Sequence, residues 1–250
     1  MKPICKSITN NDDTVIIIPV RMAATRLPNK PLAEINGKPM IIWVIEKAKL
    51  ANFAPVFVAT PDEEIKEIVE QHGGKAIITK DHPTGTDRIH EALNKIDPEK
   101  KIKYIINLQG DLPLIDPGYI KILWQLLKSS DYDISTLGAP IQDEAMKNNP
   151  NNVKIAFNVE TNKALYFSRA PIPYSASNYY YHIGIYGYTR ESIEKFVSLE
   201  EGYLEKIEKL EQLRALENNL SIGVGIVDSI PLSVDTKEDL AKVIAIATNN

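Results

Sequence analysis

Residues 14–32 read TVIIIPVRMAATRLPNKPL, an apolar run that empties into a proline-stiffened loop. The run VIIIPV is continuous, not alternating, which is what a strand covered on both faces of a parallel sheet requires. The loop carries Arg21, Arg26 and Lys30 with no acid among them, and Pro19, Pro28 and Pro31 rule out a regular helix or central strand through it. Ligands of open α/β sheets bind beyond the carboxyl ends of the strands, which is where these cations fall. A strand-to-helix connection of roughly eighteen residues also exceeds the usual 2–6, and connections that long are commonly functional. The residues alone leave two readings open, three solvated cations or a polyphosphate site.

The rest of the chain sets the frame for that loop. KPMIIWVIEKAKLA puts Met40, Val44, Ile45 and Ala48 on one helical face, and PVFVAT follows as a strand. PDEEIKEIVEQHGG reads as a helix with proline and acids at its start and glycines at its end. KAIIT, DRIHEALNKI, KYIINLQ, PGYIKILWQLLKSS and DISTLGAPI continue the alternation of strand and helix. The order predicts an α/β fold, Rossmann-like, with a mostly parallel sheet and helices on both faces. From about residue 142, VKIAFNV, ALYFSRAPI and YYYHIGIYGY are strand-like runs without intervening helices, an added antiparallel block that extends the sheet or forms a dimer arm. RESIEKFVSLE and YLEKIEKLEQLRALENN read as helices, SIGVGIV as a strand, and a last helix starts near Thr236. We expect a tail over residues 1–12 and a single domain over 13–250.

Composition narrows the function. The 250 residues are 44% hydrophobic and 25% charged with a formal charge of -4, which argues against a protein that coats nucleic acid. The single cysteine, Cys5, cannot form an internal disulfide and favours a reducing compartment. The opening residues lack the apolar core of a signal peptide, and no run approaches the ~20 residues of a membrane helix. A cytoplasmic location is the expectation.

The loop is not a phosphate-binding P-loop, because GxxxxGK[ST] is absent, and no GxGxxG follows the first strand. Cationic side chains with a metal are the other means of neutralising a triphosphate. Asp111 in NLQGDLP follows a strand and a glycine, so it is either a Mg²⁺ ligand or a turn aspartate. Asp235 in SVDTKEDL is either a second ligand or an aid to the capping pair Thr236 and Asp239. His72, His82, His90 and His182 lack zinc-ligand spacing.

Taken in order, IIIPVRMAATRLPNKPL, INGKPMI, DHPTGTDR, NLQGDLP, ALYFSRAPIP, HIGIYGY, LEQLR and VDTKEDL give the chain a resemblance to the 3-deoxy-manno-octulosonate (Kdo) cytidylyltransferase family, from about Thr14 to near the carboxyl terminus. That resemblance implies transfer of a cytidylyl group from CTP to the anomeric hydroxyl of Kdo, with release of pyrophosphate. It implies a triphosphate clamp of Arg21, Arg26 and Lys30, a nucleotide segment of Thr84, Gly85, Thr86 and Arg88 with Gln109, and Mg²⁺ on Asp111 and Asp235. It implies sugar contacts from Arg169, His182, Tyr186, Glu211 and Gln212, and a homodimer that binds neither nucleic acid nor membrane. Leu112 stands where the family often has Glu, Tyr174 where it often has Trp, and the segment from Tyr174 to Tyr181 is short. A cytidylyltransferase for another acidic sugar such as a sialic acid, and a nucleotide-binding regulator without catalysis, are the competing expectations. A metal-dependent glycosyltransferase using the DYD at 131–133 is a third, weakened because DYD precedes a strand and does not end one.

Overall fold

The chain's apolar runs become strands whose two faces feed two separate cores. The computed structural model describes residues 12–23 and 26–248, so most of the expected tail and Cys5 lie outside the described residues. The first strand is Thr14–Pro19 (β1), followed by a 3-10 turn at Lys30–Leu32 and a small hairpin of Glu34–Ile35 (β2) and Lys38–Pro39 (β3). Helix Met40–Ala51 (α1), strand Val56–Thr60 (β4), helix Glu63–Gln71 (α2), strand Ala76–Ile78 (β5), helix Gly85–Ile96 (α3), strand Tyr104–Asn107 (β6), helix Pro117–Ser129 (α4) and strand Ile134–Pro140 (β7) continue the predicted alternation. A short helix Glu144–Asn148 (α5) precedes strands Lys154–Phe157 (β8), Ala164–Ser168 (β9) and Tyr180–Thr189 (β10). Helices Arg190–Ser198 (α6), Tyr203–Glu208 (α7) and Gln212–Glu217 (α8), strand Ile222–Ile226 (β11) and helix Lys237–Thr248 (α9) complete the order.

The main path of the nine-stranded sheet runs β11-β7-β10-β6-β1-β4-β5, with β8 pairing β10 and β9. Pairs β1/β4, β1/β6, β4/β5 and β7/β11 are parallel, whereas β10 runs antiparallel to both β6 and β7. The fold is therefore the expected mixed α/β sheet with an antiparallel component. One element of that component does more than extend the sheet, because β10 is inserted near its middle.

Alternation along β1 separates the cores. Ile16 and Ile18 face α1, α2 and α4, while Val15 and Ile17 face α3 and α6. A third cluster joins Leu27 and Ile35, from the long connection, to Met40, Val234 and Val243. Burying Leu27 and Ile35 anchors that connection by about 1.5–3 kcal/mol per side chain.

Two local expectations change. The long connection is not irregular throughout, since it contains the β2–β3 hairpin, whose turn at Asn36 and Gly37 has positive φ. The stretch 203–217 is two helices and not one: Lys209 takes a left-handed φ of 55° and ends α7. The break folds α8 back so that Arg214 meets Glu205 in a buried, two-point ion pair of 2.6 and 2.8 Å.

Candidate active site

Strand β6 stops pairing with β10 at Asn107 and Tyr186, and the sheet opens there. Beyond that point residues 180–183 of β10 continue along β7, with β8 taking the place of β6 on the other side at Tyr181 and Lys154. The chain leaving β6 turns through Gln109, Gly110 and Asp111. A Cβ on Gly110 would lie 2.2 Å from Val20 Cγ1, so glycine is what lets this turn press against the end of β1.

Two cavities meet at this opening. One, of about 270 Å³, is lined by Arg21, Lys30, Gly85, Arg88, Gln109 and Asp111 among others. The other, of about 350 Å³, is lined by Gln109, Asp111, His182, Tyr186, Glu211, Gln212 and Asp235 with neighbours. Gln109 and Asp111 belong to both walls. A larger cavity of about 570 Å³ lies at the opposite end of the strands, around Phe53 and Lys75, away from all of these residues.

Charge converges at the shared wall. Lys30 Nζ donates to Asp111 Oδ2 at 2.8 Å and to Asp235 Oδ1 at 3.0 Å, and Arg26 reaches Asp235 at 3.3 Å. Burial alone would lower the Lys30 pKa, but the two carboxylates outweigh it and the pKa is raised. The Val234 amide donates to the Asp111 carbonyl at 2.9 Å, which ties the two acidic segments together. Asp235 does not cap α9. That task falls to Thr236 and Asp239, whose side chains and amides bond reciprocally. Nor does the Asp111 carboxylate close its own turn, since its hydrogen bond goes to Lys30. Two hard oxygen donors beside a cavity lined by Arg21, Lys30 and Arg88 form a set suited to a divalent cation that keeps most of its remaining ligands as phosphate and water. Among the described residues no cluster of three or more His, Cys, Asp or Glu side chains occurs.

The nucleotide candidates divide. Arg21, Lys30, Gly85, Arg88 and Gln109 line the smaller cavity, with Gly85 as the first residue of α3 directing that helix terminus toward it. Thr84 is the cap, its oxygen accepting from the Asp87 amide, and Thr86 is buried with its hydroxyl on Glu211 Oε2 at 3.1 Å. Neither threonine lines that cavity, and Arg26 joins through Asp235. Arg88 is buried beside Arg21, and burial followed by that neighbouring charge lowers its pKa. Asp81 is the counter-ion of both guanidiniums, 3.9 Å from Arg21 and 3.4 Å from Arg88.

The sugar candidates converge except for one. His182, Tyr186, Glu211 and Gln212 line the larger cavity, whereas Arg169 lines neither. The Arg169 fork donates to the carbonyls of Glu208, Pro150 and Lys209 at 2.8, 3.0 and 3.4 Å, so it fastens the α7–α8 turn. Burial raises the Glu211 pKa, and Glu211 Oε1 is buried without a hydrogen-bond partner. Burial, with Tyr188 and Glu211 nearby, raises that of Tyr186 well above its usual value, and burial holds His182 down to about 3, so the imidazole is neutral. Sequence inspection missed Tyr181 and Ser233, which also line this cavity. Tyr181 stands next to His182 where β8 replaces β6 as the neighbour of β10, a change of partner that the aromatic run alone did not reveal. Leu112 lines the cavity and is otherwise buried in the core. Tyr174 is almost wholly exposed.

The sequence pattern of the family described as Cytidylyltransferase matches residues 15–222. The chain is 52% identical over 235 residues to the 3-deoxy-manno-octulosonate cytidylyltransferase of Bartonella henselae, covering 92% of this chain and 97% of that relative. It belongs to the 3-deoxy-manno-octulosonate cytidylyltransferase family. The corresponding protein of Paramagnetospirillum magneticum is 48% identical over 233 residues, covering 91% of this chain and 95% of that one. Among solved structures, a CMP:2-keto-3-deoxy-manno-octonic acid synthetase complexed with CTP superposes with a TM-score of 0.89 at 39% identity, over 95% of this chain and 99% of that one. The 4-diphosphocytidyl-2C-methyl-D-erythritol synthase of Anaerococcus prevotii shares the fold at a TM-score of 0.63 and 14% identity, over 94% and 98% of the two chains. The DYD alternative loses its geometric basis, since Asp133 precedes β7 and its carboxylate bonds Ser221, at the end of the sheet away from the cavities.

Proposed function

We infer that this chain transfers the cytidylyl group of CTP to the anomeric hydroxyl of Kdo, giving CMP-Kdo and pyrophosphate. The observation that carries the assignment is the shared wall: a cationic cavity and a polar cavity meet at Gln109 and Asp111 in a chain of this family. The smaller cavity takes the nucleotide. Arg21, Lys30 and Arg88 neutralise the triphosphate there, and the amino end of α3 adds its partial positive charge. The larger cavity takes the acidic sugar, whose hydroxyls meet His182, Tyr186, Glu211 and Gln212. Arg169 contributes by holding the α7–α8 turn that precedes the last two.

The sugar hydroxyl attacks the α-phosphorus in line and releases its proton to water, the new C–O–P linkage forms, and the bond from the α-phosphorus to the β-phosphate oxygen breaks as pyrophosphate leaves. No covalent enzyme intermediate is needed, so the rate gain comes from positioning and charge neutralisation. Asp111 and Asp235 would hold Mg²⁺, which supplies positive charge for the sugar carboxylate and for the developing phosphate charge and favours ionisation of the attacking hydroxyl. Lys30, already at hydrogen-bond distance from both carboxylates, is placed to turn toward the departing phosphates.

Exposed apolar side chains at Leu165 on β9 and at Tyr203 and Ile207 on α7 are surfaces a homodimer would cover. Among the described residues no helix is long and apolar enough to cross a membrane. Pyrophosphate release on mixing the protein with CTP, Kdo and Mg²⁺ tests the assignment. Release that requires Kdo supports it. Release with a sialic acid but not Kdo would transfer the chain to a different sugar, and release with neither would remove the enzymatic reading.

A further inference from the structure

His182 is buried among ring neighbours, with Phe167 edge-on at 4.8 Å and Tyr186 at 5.5 Å between centroids. Both of its nitrogens have polar neighbours. Nε2 lies 3.0 Å from the Thr136 hydroxyl, and Nδ1 lies 3.5 Å from the Gln212 side-chain amide at the wall of the larger cavity. Thr136 is on β7, opposite the irregularity in β10 between Ile183 and Tyr186. Its hydroxyl is 2.9 Å from the Ile185 carbonyl and 3.2 Å from that of Ile183.

Those two carbonyls are acceptors without any proton to give, and a hydroxyl has one proton. When that proton goes to a carbonyl, the hydroxyl turns a lone pair toward Nε2, and Nε2 must donate. The hydrogen bond made by one ring nitrogen fixes the tautomer of the other. The imidazole is neutral because burial depresses its pKa, so one nitrogen is left as an acceptor.

We propose that Thr136 is a positioning residue that locks His182 in its Nε2-protonated tautomer, so that its Nδ1 lone pair, which accepts from the Gln212 side-chain amide at 3.5 Å in the unliganded chain, is offered to a hydroxyl of the sugar substrate in exchange for that long contact. This rests on the assignment of the larger cavity to the sugar. The neighbouring acceptors leave His182 no donor role toward substrate, so a sugar analogue with the matching hydroxyl replaced by hydrogen binds less well, and one with it methylated is excluded.

The chain has four histidines, which makes the test direct. Nitrogen NMR of the protein labelled with ¹⁵N-histidine, assigned with His182→Gln, is expected to show a protonated Nε2 and an unprotonated Nδ1 at residue 182. The opposite tautomer in the unaltered protein would overturn the proposal, whether or not the chain turns over Kdo. Thr136→Val removes the hydroxyl at nearly constant volume and is expected to raise the KM for Kdo about tenfold while leaving the KM for CTP unchanged. Thr136→Ser is expected to restore both the tautomer and the KM. Equal loss toward both substrates, or no rescue by serine, would reduce Thr136 to a packing residue and sink the idea. A chain that shows the expected tautomer yet lacks cytidylyl transfer would separate failure of the activity from failure of the tautomer lock.

Discussion

Replacing Lys30 with Met removes an ammonium that bridges Asp111 and Asp235 and keeps most of the aliphatic stem. The side chain is 19% exposed, Asp111 is 27% and Asp235 is 40%, so the two bonds are unequal. A charge-assisted hydrogen bond to a half-buried carboxylate contributes about 1.5–3 kcal/mol, while the more exposed partner adds about 1 or less. The loss is thus roughly 2–4 kcal/mol, and at about 2–4 °C per kcal/mol for this chain length the melting temperature drops by on the order of 10 °C. A second consequence follows from the geometry. Both carboxylate oxygens lie within 3.0 Å of Nζ, so they are no more than about 6 Å apart and, without the ammonium, repel by about 3 kcal/mol at an effective dielectric of 20. A divalent cation relieves that repulsion, so Mg²⁺ without CTP should raise the melting temperature of Lys30→Met more than that of the parent. Turnover, followed by pyrophosphate release, should fall by about 10²–10³, the usual cost of losing one group that stabilises transition-state charge. Because the Lys30 pKa is raised, its stabilising contribution is complete below about pH 10.5 and fades only as the pH rises through the folded value, so comparisons at neutral pH see all of it. Turnover within tenfold of the parent, or identical Mg²⁺ stabilisation of the two proteins, would refute the placement of Lys30 between metal-binding carboxylates and phosphate.

Asp111→Ala should abolish turnover while CTP binding, measured by calorimetry, stays within a fewfold, and normal turnover would remove Asp111 from the chemistry. His182 has a folded pKa of about 3 against about 6.5 unfolded, so its neutral burial stabilises the fold above pH 6.5 and that contribution is lost as the pH falls toward 3, by about 3 kcal/mol at pH 4.5. Urea midpoints at pH 7 and 4.5 should therefore differ less in His182→Gln than in the parent, and equal differences would contradict the assigned burial. Arg214→Met strands Glu205 without its partner in the interior and should cost about 3–5 kcal/mol by urea unfolding; a loss below about 1 kcal/mol would show that the pair is not fixed.

Much of this architecture is written locally. The continuous apolar run of β1 and the one-sided pattern of α1 announce a doubly covered parallel strand and its crossover, and the cations after Val20 fall where strand ends must lie. Capping chemistry was equally legible, since Thr236 and Asp239 behave as their spacing dictates. Strand order is different, because nothing in YYYHIGIYGY specifies insertion between β6 and β7 instead of addition at an edge. Propensity also misled at 203–217, where a sequence of good helix formers breaks at Lys209 so that Arg214 can reach Glu205. Thr136 looked like one more strand residue in DISTLGAPI, and its significance depends on carbonyls displaced by an irregularity in another strand. The family resemblance makes Arg169 a sugar contact, yet backbone carbonyls from two distant segments occupy its fork.

The antiparallel insertion of β10 is what makes one turn serve two cavities. A parallel strand beside β6 would begin at the opposite edge and would reach the open edge with its carboxyl end, carrying a connection away from the site. Running the other way, β10 enters at that edge, so Tyr181 and His182 near its start form a wall before the strand continues into the core as Ile185 and Tyr188. The turn after β6 lines both cavities through Gln109 and Asp111, and Gly110 lets it press against the end of β1 at Val20. A reaction between two anionic substrates needs such a partition: each must be neutralised by its own set of side chains, with the reacting atoms in direct contact where the two cavities join beside Gln109 and Asp111. Displacing that turn by Gly110→Ala, whose Cβ would overlap Val20, should therefore disturb transfer more than the binding of either substrate alone.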